Sequence, residues 1–179
     1  MVQREGDVRA EVNRGLPAVG REARSISEGP GDHRPKILIV DDEQEILDAM
    51  VELISLAGYR VFSALSGQEA LRIFNAEHPE LVITDLSMPE MDGLELIEAV
   101  KAVSPQTEIL ILTAHSSMVS AIDALRRGVF DYLTKPFDFA ELEWSVKRAL
   151  ERSRLVKENQ ELVRRLEERV EVQAAELST

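Results

Sequence analysis

The sequence predicts an α/β fold in which one parallel sheet of five strands is covered by helices on both faces. Three observations support this fold class. Short apolar segments alternate with helical segments, two of the strands are apolar almost throughout, and unusual polar residues stand where the strands end. Strands separated by single helices form right-handed β-α-β crossovers, which build a parallel sheet. The predicted strands span residues 36–40, 60–64, 81–84, 108–112 and 130–133.

The predicted helices span residues 43–57, 66–77, 93–102 and 117–127, and a fifth begins near residue 138. Apolar residues of the first helix recur on one face, and Gly58 follows as the residue that ends it. Ser66 stands where the second helix begins, and Glu69 three residues later is spaced as in a capping box. We expect Trp144 to pack at the start of the fifth helix.

Three regions of different character follow each other along the chain. Residues 1–34 lack hydrophobic periodicity and are interrupted by glycine and proline, so we expect a disordered amino-terminal arm. Residues 35–150 contain all the predicted strands and form the expected globular domain. Residues 151–179 contain neither proline nor glycine, so the last helix is expected to continue through them as an extension.

Apolar residues recur in this extension at the spacing of a helix seam. Leu155, Asn159, Leu162 and Leu166 follow a 4-3-4 spacing, and a second stripe with shifted register continues to Leu177. An isolated helix of this kind is marginal in water. We therefore predict a parallel coiled coil that joins two copies of the chain, with Asn159 helping to fix the register. A single solvated helix is the alternative.

The composition excludes several classes of function. The chain of 179 residues has no cysteine, which removes disulfides, zinc–thiolate sites and thiol catalysis. Its net charge is −12, and the acidic excess lies in residues 35–150, so we expect no direct binding of nucleic acid. No apolar stretch approaches the ~20 residues of a membrane span, and no signal peptide is recognisable. We expect a soluble cytoplasmic protein without membrane contact.

Polar residues follow four of the predicted strands. Asp41 and Asp42 follow the first strand, Asp85 the third, Thr113 the fourth and Lys135 the fifth. Ligands of parallel sheets bind at the carboxyl ends of the strands, where these side chains would meet. Three carboxylates repel one another unless a cation compensates them, and Mg²⁺ prefers oxygen ligands and leaves room for phosphate. The sequence therefore predicts a Mg²⁺-dependent phosphoryl-transfer site in which the carboxylate of Asp85 is the nucleophile.

The motifs around these residues resemble the receiver domain of two-component response regulators. The resemblance covers residues 35–150, and all of its signature positions are filled at the right spacing. The motifs are Asp41-Asp42, Asp85 followed by Met88-Pro89-Glu90-Met91-Asp92-Gly93, Thr113-Ala114, and Tyr132-Leu133-Thr134-Lys135-Pro136-Phe137. The fold that this resemblance implies is a flavodoxin-like, doubly wound (βα)5 sheet of five parallel strands.

The resemblance implies a role for each residue at the phosphoryl group. Asp85 would accept that group from a histidine kinase or a phosphotransfer protein, and Lys135 and Thr113 would contact it. The Lys135–Pro136 peptide bond would be cis. The chain would take part in its own phosphoryl transfer and hydrolysis, but it would not be an enzyme that acts on a separate metabolite.

The same resemblance implies the ligands of the metal. Asp42 and Asp85 would bind Mg²⁺ through their side chains. Asp41 would act mainly through a metal-bound water molecule, and the backbone carbonyl of Ser87 would complete the protein ligands.

The resemblance also implies a conformational switch. Thr113 would move toward the phosphoryl group and the ring of Tyr132 would rotate inward, which would alter the face formed by the fourth helix, the fifth strand and the fifth helix. We expect the C-terminal helix to convey this change to a dimer. The output, such as regulation of transcription, would lie in a missing or separate domain.

Two other classes of protein remain as alternatives. A metal-dependent phosphatase with an aspartate nucleophile would share the strand-end carboxylate, although such enzymes use Asp-x-Asp and this chain has Asp85-Leu86-Ser87. The second alternative is a pseudo-receiver that serves as a scaffold and is never phosphorylated.

Overall fold

The computed structural model describes residues 33–114 and 126–177 of the chain. Five strands form the sheet: β1 Lys36–Val40, β2 Arg60–Ala64, β3 Leu81–Asp85, β4 Glu108–Thr113 and β5 Asp131–Thr134. Four helices are described: α1 Gln44–Leu56, α2 Gly67–Glu77, α3 Gly93–Val103 and α4 Phe139–Leu177. The predicted arm lies outside the described residues up to residue 32, as does most of the predicted helix 117–127. Here α4 is the fifth predicted helix.

All strands of the sheet are parallel, in the order β2-β1-β3-β4-β5. This arrangement confirms the predicted α/β fold class. The winding reverses between the neighbours β1 and β3, because β2 lies on one side of β1 and all later strands lie on the other. The carboxyl ends of β1, β3, β4 and β5 therefore meet at one edge of the sheet.

Alternate residues of the strands fill two separate cores, one on each face of the sheet. Leu38 and Val40 of β1 point toward the face that is covered by α2 and α3. Ile37 and Ile39 point toward the face that is covered by α1 and α4. Strands β3 and β4 are buried along their whole length, which explains why their sequences are nearly continuous apolar runs.

Side-chain caps fix where two of the helices begin. The predicted cap of α2 is confirmed, because Ser66 Oγ accepts a hydrogen bond from the N–H of Glu69 at 3.3 Å. The carboxylate of Glu69 binds the N–H of Leu65. Helix α3 has a complete capping box, in which Asp92 and Glu95 each accept the backbone N–H of the other.

Helix α4 runs without interruption through 39 residues. Its first half packs on the sheet through Leu142, Val146 and Ala149, whereas residues 157–177 are exposed. None of the described helices is long and apolar enough to cross a membrane. The expectation that Trp144 packs at the start of this helix is wrong, because its side chain is 58% exposed and its ring faces the guanidinium of Arg148 at 4.3 Å.

Candidate functional site

The sheet brings four of the predicted site residues to its carboxyl edge. Asp41 follows β1 directly, Asp85 ends β3, Thr113 ends β4, and Lys135 follows β5. The site lies at the reversal of winding between β1 and β3, where ligands of such sheets bind. Asp41 is 0% exposed, and Asp85 and Thr113 are 5% exposed each. Two carboxylates and one hydroxyl are thus buried away from water, so each needs a hydrogen-bond partner or a compensating charge.

Lys135 joins the two buried carboxylates. Its Nζ atom donates to Asp41 Oδ2 at 2.8 Å and to Asp85 Oδ2 at 2.6 Å. Burial acts to lower the pKa of this lysine, but the hydrogen bonds and negative charges of Asp41 and Asp85 together outweigh it, and the pKa is raised above its usual value. Lys135 is therefore a fixed positive charge between two carboxylates at neutral pH. The sequence had not indicated its contact with Asp41.

The remaining oxygen of each carboxylate is oriented by the backbone. Asp41 Oδ1 accepts the N–H of Glu43, and Asp85 Oδ1 accepts the N–H of Ser87, both at 2.9 Å. Every buried side-chain nitrogen and oxygen in the described residues has a hydrogen-bond partner. A donor from the turn after Asp85 was expected from the sequence, whereas the donor at Glu43 was not.

The amino end of α3 presses closely on the end of β3. The N–H of Gly93 donates to the carbonyl of Leu86 at 3.0 Å. A Cβ atom at position 93 would lie 2.3 Å from the carbonyl oxygen of Asp85, closer than any side chain can come to a backbone atom. Glycine is thus required for the approach of the two elements, and α3 holds the backbone of Asp85 in place.

Thr113 and Lys135 are linked through the backbone. The N–H of Lys135 donates to the carbonyl of Thr113 at 2.8 Å, and the Lys135–Pro136 peptide bond is cis, as the resemblance implied. Tyr132 lies on β5 two residues before the end of the strand, and its side chain is 39% exposed. The ring is thus on the outer surface, near the site but outside it.

The carboxylate pair suits a hard divalent cation. In residues 33–114 and 126–177, no three acidic, histidine or cysteine side chains lie close enough together to form a ready-made metal site. Asp42 is exposed, whereas Asp41 and Asp85 are buried beside the same ammonium. The donors of this pair are all oxygen atoms, and the two carboxylates outnumber the single charge of Lys135. Mg²⁺ fits such a set, because it commonly uses one or two carboxylates and retains several waters.

A family model described as the response regulator receiver domain matches residues 37–147. Among known proteins, the regulatory protein AtoC of Escherichia coli K12 is 38% identical over 123 residues, which cover 69% of this chain and 27% of that protein. The transcriptional regulatory protein PrrA of Mycobacterium tuberculosis is 36% identical, over 66% of this chain and 51% of that protein. The chain spans about a quarter to a half of the length of these curated relatives.

Solved structures agree with the sequence match. A response regulator receiver domain protein from Clostridium thermocellum is 35% identical, with a TM-score of 0.66, over 68% of this chain and 98% of that one. NtrX from Brucella abortus, solved with ATP, is 33% identical with a TM-score of 0.68, over 71% of this chain and 29% of that one. The sequence match and these shared folds lead to one conclusion. The chain belongs to the response regulator receiver domain family.

Proposed function

We propose that Asp85 is the phosphoryl acceptor of this receiver in the cytoplasm, and that a histidine kinase or a phosphotransfer protein supplies the phosphoryl group. The observation that carries the proposal is the setting of the Asp85 carboxylate. It is buried at the end of a central strand, with the ammonium of Lys135 2.6 Å from one oxygen and the N–H of Ser87 2.9 Å from the other. These donors orient the nucleophile and offer charge to the oxygens of an incoming phosphoryl group.

The transfer step exchanges one bond to phosphorus for another. An oxygen of Asp85 attacks the phosphorus of a phosphohistidine, an O–P bond forms, the P–N bond breaks, and its electron pair remains on the imidazole nitrogen. Lys135 then pairs with a phosphoryl oxygen, and the hydroxyl of Thr113 donates to another. Hydrolysis reverses the state when water attacks the phosphorus and the carboxylate of Asp85 leaves. The chain thus carries out a step on itself rather than on a separate metabolite.

The acidic cluster would hold Mg²⁺ beside Asp85. The side chains of Asp42 and Asp85, the carbonyl of Ser87 and, through water, Asp41 are the proposed ligands. When bound, Mg²⁺ neutralises part of the charge on the phosphoryl oxygens and lowers the repulsion that an approaching dianion meets. With or without the metal, Lys135 and the N–H of Ser87 orient the Asp85 carboxylate, and Asp41 holds Lys135.

Intact-mass spectrometry with acetyl phosphate tests the acceptor. The parent chain should gain a phosphate-sized mass in the presence of Mg²⁺ and little or none with a chelator. Asp85→Asn should not gain it. Asp92→Asn is the matched control, since it changes a carboxylate of the same loop that caps α3 and should label like the parent. An adduct that persists in Asp85→Asn would overturn the assignment, and a parent that never labels would favour a scaffold.

The proposed output is a change in pairing of two copies through α4. Leu155, Leu162 and Leu166 are exposed along this helix, which gives it an apolar stripe to cover. Thr113 and Tyr132 are the proposed switch residues that alter the adjoining surface when Asp85 carries the phosphoryl group. Relatives such as PrrA are named transcriptional regulatory proteins, and regulation of transcription is accordingly the proposed end of the pathway.

The dimerisation constant provides the test of this output. Sedimentation equilibrium of the chain with and without beryllofluoride, which mimics the phosphoryl group, should give two different constants. Leu162→Gln should weaken pairing in both states. Identical constants in the two states would refute a phosphorylation-dependent output through α4.

A further inference from the structure

Helix α4 keeps contact with the sheet beyond its last buried apolar residue. Ala149 is the final member of the core on this face. Ser153, one helical turn later on the same side, is only 3% exposed. It lines a cavity together with Glu80 and Thr107, which directly precede β3 and β4, at the end of the sheet opposite to Asp85. The helix is therefore held by the domain for at least one turn past the core.

Two ionic contacts flank Ser153 on the helix. Arg152 Nε lies 3.4 Å from Glu108 Oε1, and Lys157 Nζ lies 3.2 Å from Glu80 Oε1. We call these five residues the basal anchor. The guanidinium of Arg152 also lies 5.9 Å from the ring centre of Phe130.

The acidic partners of the anchor are fixed by the sheet. Glu80 accepts the N–H of Lys36 through its second oxygen at 2.7 Å. Its own N–H donates to the carbonyl of Lys36, and its carbonyl accepts the N–H of Glu108, both at 3.0 Å. Glu80 directly precedes β3 and Glu108 begins the neighbouring β4, so backbone hydrogen bonds determine where both residues stand. Rigid acceptors of this kind restrain a helix more than a pair of mobile surface side chains does.

Burial makes the contact of Glu108 more than a surface ion pair. Burial raises the pKa of this carboxyl, and the charges of Arg152 and then Lys101 act against the rise. The ammonium of Lys101 instead donates hydrogen bonds to the backbone carbonyls of Pro105 and Thr107, at 3.1 and 2.8 Å. Arg152 is therefore the cation on α4 that compensates a carboxylate held away from water.

The anchor also sets the rotation of the helix. At about 100° per residue, Leu155 and Leu162 lie about 200° and 180° from Ser153 around the helix axis. The side of the helix that holds the buried Ser153 is therefore opposite to the apolar stripe. At the same 3-4 spacing, the seam positions that precede Leu155 are Arg152 and Arg148. The side chain of Arg152 contacts Glu108 of the sheet.

We propose that the basal anchor fixes the direction and rotation of α4, so that the stripe beginning at Leu155 faces away from the sheet and is presented to a second copy. The proposal rests on the proposed pairing through α4. The contacts between α4 and the domain extend to residue 157. Because the side chain of Arg152 is bound to Glu108 of the domain, pairing with a second helix begins at Leu155. The anchor thus holds the output helix as a stiff extension of the sheet.

The test compares Arg152→Gln/Lys157→Gln with the control Arg154→Gln/Arg164→Gln. Both variants lose two positive charges from the same helix, but among the described residues the ion pairs of the control arginines are with glutamates of α4. The chain has no cysteine, so Arg72→Cys and Gln160→Cys can carry spin labels for distance measurement. Labelled chain is diluted into excess unlabelled chain, so that only distances within one chain are read.

The parent and the control should give one narrow distribution of distances, and the anchor variant should give a distribution about twofold broader. Amide exchange of residues 150–157 should be about tenfold faster in the anchor variant alone. Equal widths and equal exchange in all three proteins would overturn the anchor, as would equal broadening in both variants. If sedimentation finds only monomers, the proposed pairing fails, whereas the distances within one chain still decide the anchor.

Discussion

Replacing Lys135 by methionine removes the positive charge that two buried carboxylates share. The methionine fills similar volume, so the main change is electrostatic. Asp41 and Asp85 keep one backbone donor each, from Glu43 and Ser87, but lose the ammonium at 2.8 and 2.6 Å. Two carboxylates then face each other out of water without a counter-charge. We expect a large loss of folding stability.

The exposure of the three side chains sets the size of this loss. Asp41 is fully buried, and the side chains of Asp85 and Lys135 are 7% and 13% exposed. Removing one partner of a buried ion pair costs about 3–5 kcal/mol. The neighbouring Asp42 is exposed, so water is close to the pair and the lower limit applies. A loss of about 3 kcal/mol corresponds to a fall in Tm of about 6–12 °C for a domain of this size.

Urea unfolding followed by circular dichroism, in a buffer with a chelator, measures this loss. Lys147→Met is the control, because Lys147 is exposed and forms a surface ion pair with Glu143 one turn away, so its replacement should leave the unfolding free energy almost unchanged. In an Asp85→Asn background the cost of Lys135→Met should be clearly smaller, since only one carboxylate remains unpaired. A cost below about 1 kcal/mol, or an equal cost in both backgrounds, would refute the electrostatic reasoning.

Three further predictions concern the same edge of the sheet. The pKa of Lys135 is raised in the folded state, so its contribution to folding stability is complete below the unfolded pKa of about 10.4 and is lost as pH rises through the folded pKa. The unfolding free energies of the parent and Lys135→Met, measured with urea, should therefore converge only in strong alkali. Gly93→Ala should lower unfolding free energy by about 1–3 kcal/mol and slow labelling of Asp85, because the added methyl strikes the Asp85 carbonyl; parent-like stability would contradict this. Asp92→Ala should cost about 1 kcal/mol through its lost cap, and Asp92→Asn almost nothing, as thermal melts would show.

The location of the site was predictable because parallel strands impose it. Once strands and helices alternate, the carboxyl ends of neighbouring strands must share an edge, and polar residues at those ends must meet there. In the sheet, Asp85 is paired with Leu112, the residue before Thr113, and Thr113 is paired with Thr134, the residue before Lys135. Short-range sequence patterns therefore indicated a long-range cluster.

Which of Asp41 and Asp42 contacts Lys135 was not predictable from the sequence. Both follow β1, and the turn decides which side chain points inward. In the structure Asp41 binds the N–H of Glu43 and turns its second oxygen to Lys135, and Asp42 is left exposed. Such a local hydrogen bond depends on backbone angles beyond the strand end, which the residue types alone do not determine.

The exposure of Trp144 shows a different limit. Size and hydrophobicity favoured burial, but helical position decides it. The buried stripe of α4 runs through Leu142, Val146 and Ala149, and Trp144 is two residues from the first two of these, on another side of the helix. Its ring is instead covered by Arg148. Helical phase was the more reliable guide at this position.

Strands β3 and β4 connect the two ends of the molecule that carry the proposed chemistry and the proposed anchor. β4 runs from Glu108 to Thr113, and β3 lies between Glu80 and its last residue, Asp85. Both strands are wholly buried and paired with each other, so we expect a shift at one end of a strand to reach its other end. A displacement of Thr113 toward a phosphoryl group on Asp85 would therefore also shift Glu108 and, through Arg152, helix α4. Beryllofluoride should shift the label distance in the parent, and the shift should vanish when Arg152 and Lys157 are replaced, because a freed helix no longer follows the sheet.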